Sequence, residues 1–147
     1  YILVTIGSRK LAIPIDNLAE VSSMPKVTDL PNLPGWIKGI MNIRSEIVSL
    51  IDFSSFLGAA EQEHNPGGGK LIVLRSDKVK VGINVDTIVG TVTRNLSDVK
   101  PSDTAGENPI ARDLFAEQLP VEEDFFFILN VKKMLSHPKF VNFSEET

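Results

Sequence analysis

Two histidines are the first residues to weigh, because imidazole serves as a metal ligand and as a general base near neutral pH. His64 lies in a glycine-rich stretch and His137 precedes Pro138, and neither has a partner at ligand spacing. The chain contains no cysteine, which excludes thiol chemistry, disulfides and cysteine-ligated zinc. We therefore expect no metal site, no cofactor and no catalytic triad, and we interpret both histidines as solvated surface residues.

The segment Pro66–Lys70 has the composition of a phosphate-binding loop. Such a loop requires a strand before it, a hydroxyl residue after the lysine and a helix that follows. Here Lys70 is followed by Leu71 and an apolar run. We interpret the polar, glycine-rich stretch Glu61–Gly69 as a flexible connection near the middle of the chain.

Three aspartates, Asp16, Asp52 and Asp86, each follow an apolar run. An aspartate at the end of a strand can accept hydrogen bonds from nearby backbone N–H groups and close a turn. Asn130 occupies a fourth matching place, where an amide can cap a turn but cannot act as a carboxylate catalyst. The pattern favours the structural role. The competing hypothesis is a small β-barrel enzyme in which Asp52 and Asp86 converge in one pocket.

Cations beside an apolar strand indicate a binding surface. Lys38 and Arg44 flank the stretch Ile40–Ile43, where they would frame a groove for a partner helix with acidic flanks. The alternative is that they are two solvated charges on unrelated faces. Trp36, the only tryptophan, belongs either to this surface or to the cover of a barrel end.

Short apolar or alternating runs rich in Val, Ile and Phe, separated by turn residues, predict β-strands. The predicted strands are Tyr1–Ile6, Lys10–Ile15, Leu18–Val21, Gly39–Ile43, Glu46–Ile51, Leu71–Arg75, Val79–Val85, Ile88–Val92 and Phe125–Leu129. Helical patterns are short, at Ser54–Leu57, Pro109–Phe115 and Val131–Leu135. The predicted class is all-β with a short C-terminal helix.

An internal repeat relates the two halves of the chain. The run Lys10–Asp16 is echoed by Lys80–Asp86, and Ser49–Phe53 is echoed by Phe127–Val131. We interpret the repeat as two similar small β-barrels, and chance matching of short apolar strings is the alternative.

The formal net charge is -4 and the basic residues are scattered, whereas nucleic-acid binders concentrate them in a stripe or patch. Every apolar run is shorter than the roughly 20 residues that a membrane-spanning helix needs. The sequence starts at Tyr1 inside a strand-like run, so we expect the natural chain to extend before it.

Four segments in order resemble the CheW-like domain of bacterial chemosensory proteins. They are Ile13–Val21, Leu30-Pro31, Trp36–Arg44 and Ile47–Phe53. The second half is similar to the same family through Lys80–Asp86, Ile88-Val89 and Ile128–Val131. The resemblance covers nearly the whole chain, and its specificity comes from the ordered set of segments.

The resemblance implies a fold of two intertwined five-stranded SH3-like barrels. One lobe would hold roughly residues 1–60 with 131–147, and the other roughly residues 70–130. It also implies a non-catalytic, cytoplasmic adaptor between the tip of a chemoreceptor and the regulatory domain of a CheA-type histidine kinase. Such a protein binds neither nucleic acid nor the membrane directly.

Carried over residue by residue, the resemblance assigns receptor contacts to Leu18, Glu20, Lys38 and Arg44. It leaves the residues that face the kinase unassigned. Two positions depart from the family pattern: Ser45 replaces a usual glycine and Ser49 a usual proline. Because serine adopts positive φ with difficulty, we expect the loop that presents Arg44 to differ.

These departures suggest a divergent coupling protein of a pilus-motility or phototaxis-like pathway. The alternative function is the regulatory domain of a histidine kinase, separated from its other domains. The stimulus, the receptor and the oligomeric state are not determined by the sequence.

Overall fold

The computed structural model describes residues 1–58, 69–102 and 109–138. The predicted connection, including His64, lies outside these ranges except for Gly69, and so do the residues from Lys139 onwards. The described chain is mostly β-structure, which confirms the predicted class. In chain order the strands are β1 Ile2–Ile6, β2 Arg9–Ile13, β3 Leu18–Ser23, β4 Ile37–Ile43, β5 Glu46–Ile51, β6 Lys70–Ser76, β7 Val79–Val85, β8 Thr87–Thr91, β9 Lys100–Pro101, β10 Glu117–Val121 and β11 Asp124–Ile128.

Short helices join some of these strands. Helix α1, Phe53–Phe56, follows β5, and helix α2, Pro109–Leu114, precedes β10. Helix α3, Val131–Leu135, follows β11. All three lie where the sequence predicts helical turns. A 3₁₀ turn, Ile15–Asn17, connects β2 to β3.

The described strands form two sheets. Sheet I has the order β8-β1-β2-β11-β10-β9, and sheet II has the order β3-β6-β7-β5-β4. Each sheet has one parallel pair, β2 with β11 in sheet I and β5 with β7 in sheet II. The first five strands of sheet I therefore match those of sheet II position by position. The internal repeat of the sequence has a structural counterpart in this shared order.

Each half of the chain contributes its first hairpin to the sheet of the other half. The β1–β2 hairpin lies in sheet I beside strands from the second half, and the β6–β7 hairpin lies in sheet II beside strands from the first half. The sheets therefore divide the chain differently from the expected lobes, which kept residues 1–60 together and apart from 70–130. The assignment of residues to lobes stays a prediction.

The exchanged strands are packed on both faces. In β6, Ile72 and Leu74 face a central core to which both sheets and the helices contribute. Leu71 and Val73 of the same strand face a smaller core within sheet II. Strands β1 and β2 likewise lie between the central core and a smaller core within sheet I. This double burial explains why these strands read as continuous apolar runs instead of alternating ones.

Strands β9 and β10 are absent from the expected strands, and β10 is the longer of the two. Only Leu119 of β10 is buried, and Glu117, Gln118 and Pro120 obscure the alternation that would reveal it. Proline has no N–H for a ladder, and its presence argues against a central strand. Pairing with β11 decides the conformation here, because that partner supplies the neighbouring backbone groups.

Strands β3 and β4 are the two edges of sheet II, and a backbone bridge links the segment after β3 to β4. Thr28 N donates to Ile40 O at 2.8 Å, and Ile40 N donates to Thr28 O at 2.9 Å. The bridge therefore joins the segment that follows one edge strand to the other edge strand. Closure of a complete barrel stays a prediction.

The bridge generates the first testable prediction, at Gly39. A methyl group there would overlap the carbonyl oxygen of Thr28, which accepts the hydrogen bond from Ile40. Because that oxygen belongs to the backbone, Gly39→Ala must separate the two segments. We expect the free energy of unfolding to fall by about 2 kcal/mol, measured by urea denaturation.

Gly35→Ala is the matched control, because a Cβ at Gly35 meets no atom within 4 Å. An equal loss in both variants would show that flexibility, and not the close approach, is responsible.

Candidate functional site

The turn between β4 and β5 presents the most exposed of the predicted site residues. Arg44 and Ser45 have φ values of 50° and 67°, the signs required at both central positions of a type I′ hairpin turn. Ser45 N donates to Asn42 Oδ1 at 3.1 Å, which supports the turn from the strand before it. The turn therefore keeps a positive φ at Ser45 although the residue is not glycine.

An ion pair connects this turn to the opposite edge of sheet II. Arg44 Nε donates to Glu20 Oε1 of β3 at 2.6 Å. The Arg44 side chain is 84% exposed and that of Glu20 is 19% exposed. The hydrogen bond and the negative charge of Glu20 raise the pKa of Arg44 above its ordinary value. The pair lies between the two edge strands, as the Thr28–Ile40 bridge does.

A shallow pocket of about 90 Å³ lies beside this ion pair. We call it the rim pocket, because it is at the end of sheet II and every strand of that sheet contributes to it. A second ion pair, Lys80 Nζ to Glu46 Oε2 at 3.0 Å, borders it. The pocket is lined by Ala19, Glu20, Ile43, Arg44, Glu46, Val48, Val73 and Lys80.

The structure brings together two of the four predicted site residues. Glu20 and Arg44 share an ion pair, whereas Leu18 is half-buried and packs against the central core. Lys38 lies near the other end of β4, where its Nζ is 3.9 Å from Asp52 Oδ2. Six residues of extended strand correspond to roughly 20 Å, so Lys38 and Arg44 do not share one contact.

Asp52 and Asn130 have the local structural role that the sequence predicts, whereas Asp86 accepts a backbone hydrogen bond from a distant turn. Asp52 Oδ1 accepts from Ser55 N at 3.3 Å and caps α1, and Asn130 Oδ1 accepts from Lys133 N at 3.0 Å and caps α3. Asp86 Oδ2 accepts from Gly7 N at 2.7 Å, in the turn between β1 and β2. Gly7 and Asp86 are 79 positions apart, so this hydrogen bond joins two distant segments and does not close a local turn.

His137 and Trp36 both contact Phe56 of the central core. The prediction that His137 is a solvated surface residue is wrong, because it is half-buried and its ring lies 5.6 Å from that of Phe56. Trp36 is buried, with its ring 5.4 Å from that of Phe56 in an edge-on contact. It belongs to the central core and not to the rim pocket.

Reasoning from the sequence missed Ala19, Glu46 and Lys80 as members of the site. Glu46 and Lys80 are far apart in the chain, and only the parallel pairing of β5 with β7 makes them neighbours. Within the described part of the chain, no group of three or more His, Cys, Asp or Glu residues is arranged to hold a metal ion. No helix in the same ranges combines the length and apolarity needed to cross a membrane.

The chain is similar to known proteins over most of its length. The family model for the CheW-like domain matches residues 1–139. Protein FrzA of Myxococcus xanthus is 26% identical over 130 residues, which are 88% of this chain and 81% of FrzA. Protein PilI of Pseudomonas aeruginosa is 27% identical over 115 residues, which are 78% of this chain but only 55% of PilI.

A solved structure shows the same fold. The crystal structure of the scaffolding protein TtCheW from Thermoanaerobacter tengcongensis superposes with a TM-score of 0.78. The superposition covers 92% of this chain and 90% of that chain, at 17% sequence identity.

The strained turn generates the second testable prediction. A non-glycine residue with positive φ costs on the order of 1 kcal/mol, and glycine removes that cost. We expect Ser45→Gly to raise the free energy of unfolding by about 0.5–1 kcal/mol in urea denaturation. Ser49→Gly, inside extended strand β5, is the control and should lower the free energy of unfolding by a similar amount. If Ser45→Gly is destabilising, the turn is not strained at that position.

Proposed function

Because the chain belongs to the CheW-like domain family, we propose that it couples chemoreceptors to a CheA-type histidine kinase. The chain is a CheW-like scaffold of chemosensory signalling, similar to FrzA, PilI and several CheW proteins. To couple the two, the protein would bind a receptor tip with one surface and the kinase's regulatory domain with another. Both interactions would take place in the cytoplasm.

The family assignment confirms that the protein is not an enzyme, because its members are non-catalytic scaffold adaptors. The use of Asp52, Asp86 and Asn130 in turns and caps agrees with this conclusion. The hypothesis of paired catalytic aspartates is therefore not needed to explain these residues.

One observation supports the proposed binding of a receptor. The exposed Arg44–Glu20 pair stands at the rim of a pocket, at two positions that the family resemblance assigns to receptor contacts. The arginine lies on a tight hairpin turn, and the glutamate lies on a strand of the same sheet. A rigid sheet that presents polar groups around an apolar pocket suits the binding of a protein surface.

Leu18 and Lys38 complete the proposed receptor surface, and neither takes part in the Arg44–Glu20 ion pair. Leu18 is on β3, two residues before Glu20, and Lys38 is on β4. A receptor hairpin that spans roughly 20 Å along β4 would reach both cations. The residues that face the kinase stay unassigned.

We also propose that each sheet curves into a barrel-like lobe. Each sheet has a small core of its own besides the shared central core. In sheet II the Thr28–Ile40 bridge and the Glu20–Arg44 pair both connect the two edges. A flat sheet would not bring its edge strands within reach of one side chain.

Arg44→Glu is the variant that tests the receptor surface. It places a second carboxylate beside Glu20, so we expect binding of a receptor hairpin fragment to weaken at least about tenfold. The melting temperature should stay nearly unchanged, because exposed ion pairs contribute little to stability. Binding is measured by calorimetric titration and stability by thermal unfolding.

The double variant Glu20→Arg with Arg44→Glu is the matched control, because it restores an ion pair in the opposite orientation. It should recover any lost stability but not receptor binding. A large loss of stability in Arg44→Glu alone would mean that the arginine is structural.

The kinase half is tested by titration with the regulatory domain of a CheA-type kinase from the same genome. We expect saturable one-to-one binding with micromolar or tighter affinity, as interfaces of about 1,600 Å² commonly provide. Absence of binding at high micromolar concentration would leave the family assignment intact and overturn the coupling function.

A further inference from the structure

The floor of the rim pocket is part of a packed aliphatic core. Val48 of β5 and Val73 of β6 are buried there, and both belong to the small core of sheet II. Half-buried Ile43 packs against the same cluster. A side chain that enters the pocket would therefore extend an existing apolar core from outside.

The charges on the rim cancel in pairs. Arg44 is 2.6 Å from Glu20, and Lys80 is 3.0 Å from Glu46. Two cations and two carboxylates leave the rim without net charge. An acidic partner gains little from cations that are already paired, since each contact would compete with an existing one.

We propose that the rim pocket takes one branched aliphatic side chain of the partner helix, and that this side chain anchors the complex. The inference rests on the proposed receptor-coupling function and names the chemistry recognised at that site. It replaces the expectation from the sequence that Lys38 and Arg44 bind a partner helix through acidic residues on that helix. The two ion pairs would surround the anchor and exclude water from it.

The size of the pocket supports an aliphatic occupant. A cavity of about 150 Å³ lined by aliphatic residues accommodates benzene. A pocket of about 90 Å³ is too small for an aromatic ring and suits a residue such as leucine, isoleucine or valine. Residues one turn away on the same helix would lie over the two ion pairs, because positions i and i+4 share a face.

Ala19→Phe tests the inference by covering the pocket from its own wall. Ala19 is exposed and lines the pocket, so a ring that is too large to enter it would lie across the opening without disturbing the core. We expect the affinity for a soluble receptor hairpin fragment to fall about tenfold or more, because the burial of one aliphatic side chain contributes at least that much to binding. The affinity for the kinase regulatory domain should not change.

Val21→Phe is the matched control. Val21 is exposed on the same strand and does not line the pocket, so this variant adds the same ring to a neighbouring position. Its affinity for the receptor fragment should match that of the unmodified chain.

The salt dependence of receptor binding is an independent readout on the unmodified chain. An aliphatic anchor inside a neutral rim predicts an affinity that changes less than about threefold between about 0.05 and 0.5 M NaCl. This measurement decides the question even where Ala19→Phe lowers the melting temperature.

Receptor binding by Ala19→Phe that equals that of the unmodified chain would overturn the anchor and leave the coupling function standing. A steep loss of affinity as the salt concentration rises would also overturn the anchor, and would favour a partner helix that binds through acidic residues. If the unmodified chain binds no receptor fragment at all, both the anchor and the receptor half of the proposed function are wrong.

Discussion

The burial of two hairpins on both faces is the constraint on which the rest of the structure depends. β1–β2 and β6–β7 each lie between the central core and a smaller core. Each hairpin pairs with strands from the other half of the chain, so neither sheet can form from one half alone. Such contacts between distant segments cost loop-closure entropy, and the apolar area buried on both faces offsets it.

The rim pocket is a consequence of the same exchange. Its floor and rim combine Glu20, Arg44 and Val48 from the first half with Val73 and Lys80 from the second. The first half alone would present the Arg44 turn without the strands that support it. The surface proposed to contact a receptor therefore exists only when both halves have folded together, which makes it a property of the whole domain.

The polar residues of this domain stabilise structure and frame a surface. Asp52 and Asn130 cap short helices at equivalent places of the repeat, after β5 and β11. The charges at the rim neutralise each other in pairs. A scaffold needs a stable shape with a small number of exposed contacts, and this distribution of polar groups is consistent with the non-catalytic family to which the chain belongs.

The sequence by itself determined the class of fold, most strands, the helix caps and the repeat, because each follows from local alternation or turn chemistry. The order of motifs along the chain assigns receptor contacts to Glu20 and Arg44, which stays a prediction, and the structure shows that the two residues form an ion pair. The sequence missed β9 and β10, whose conformation depends on their pairing with neighbouring strands, and it placed His137 in solvent although its ring packs against Phe56. Only the tertiary structure decided which hairpin joins which sheet, and with it the pairing of Lys80 with Glu46. These features depend on contacts between residues far apart in the chain, which no local pattern records.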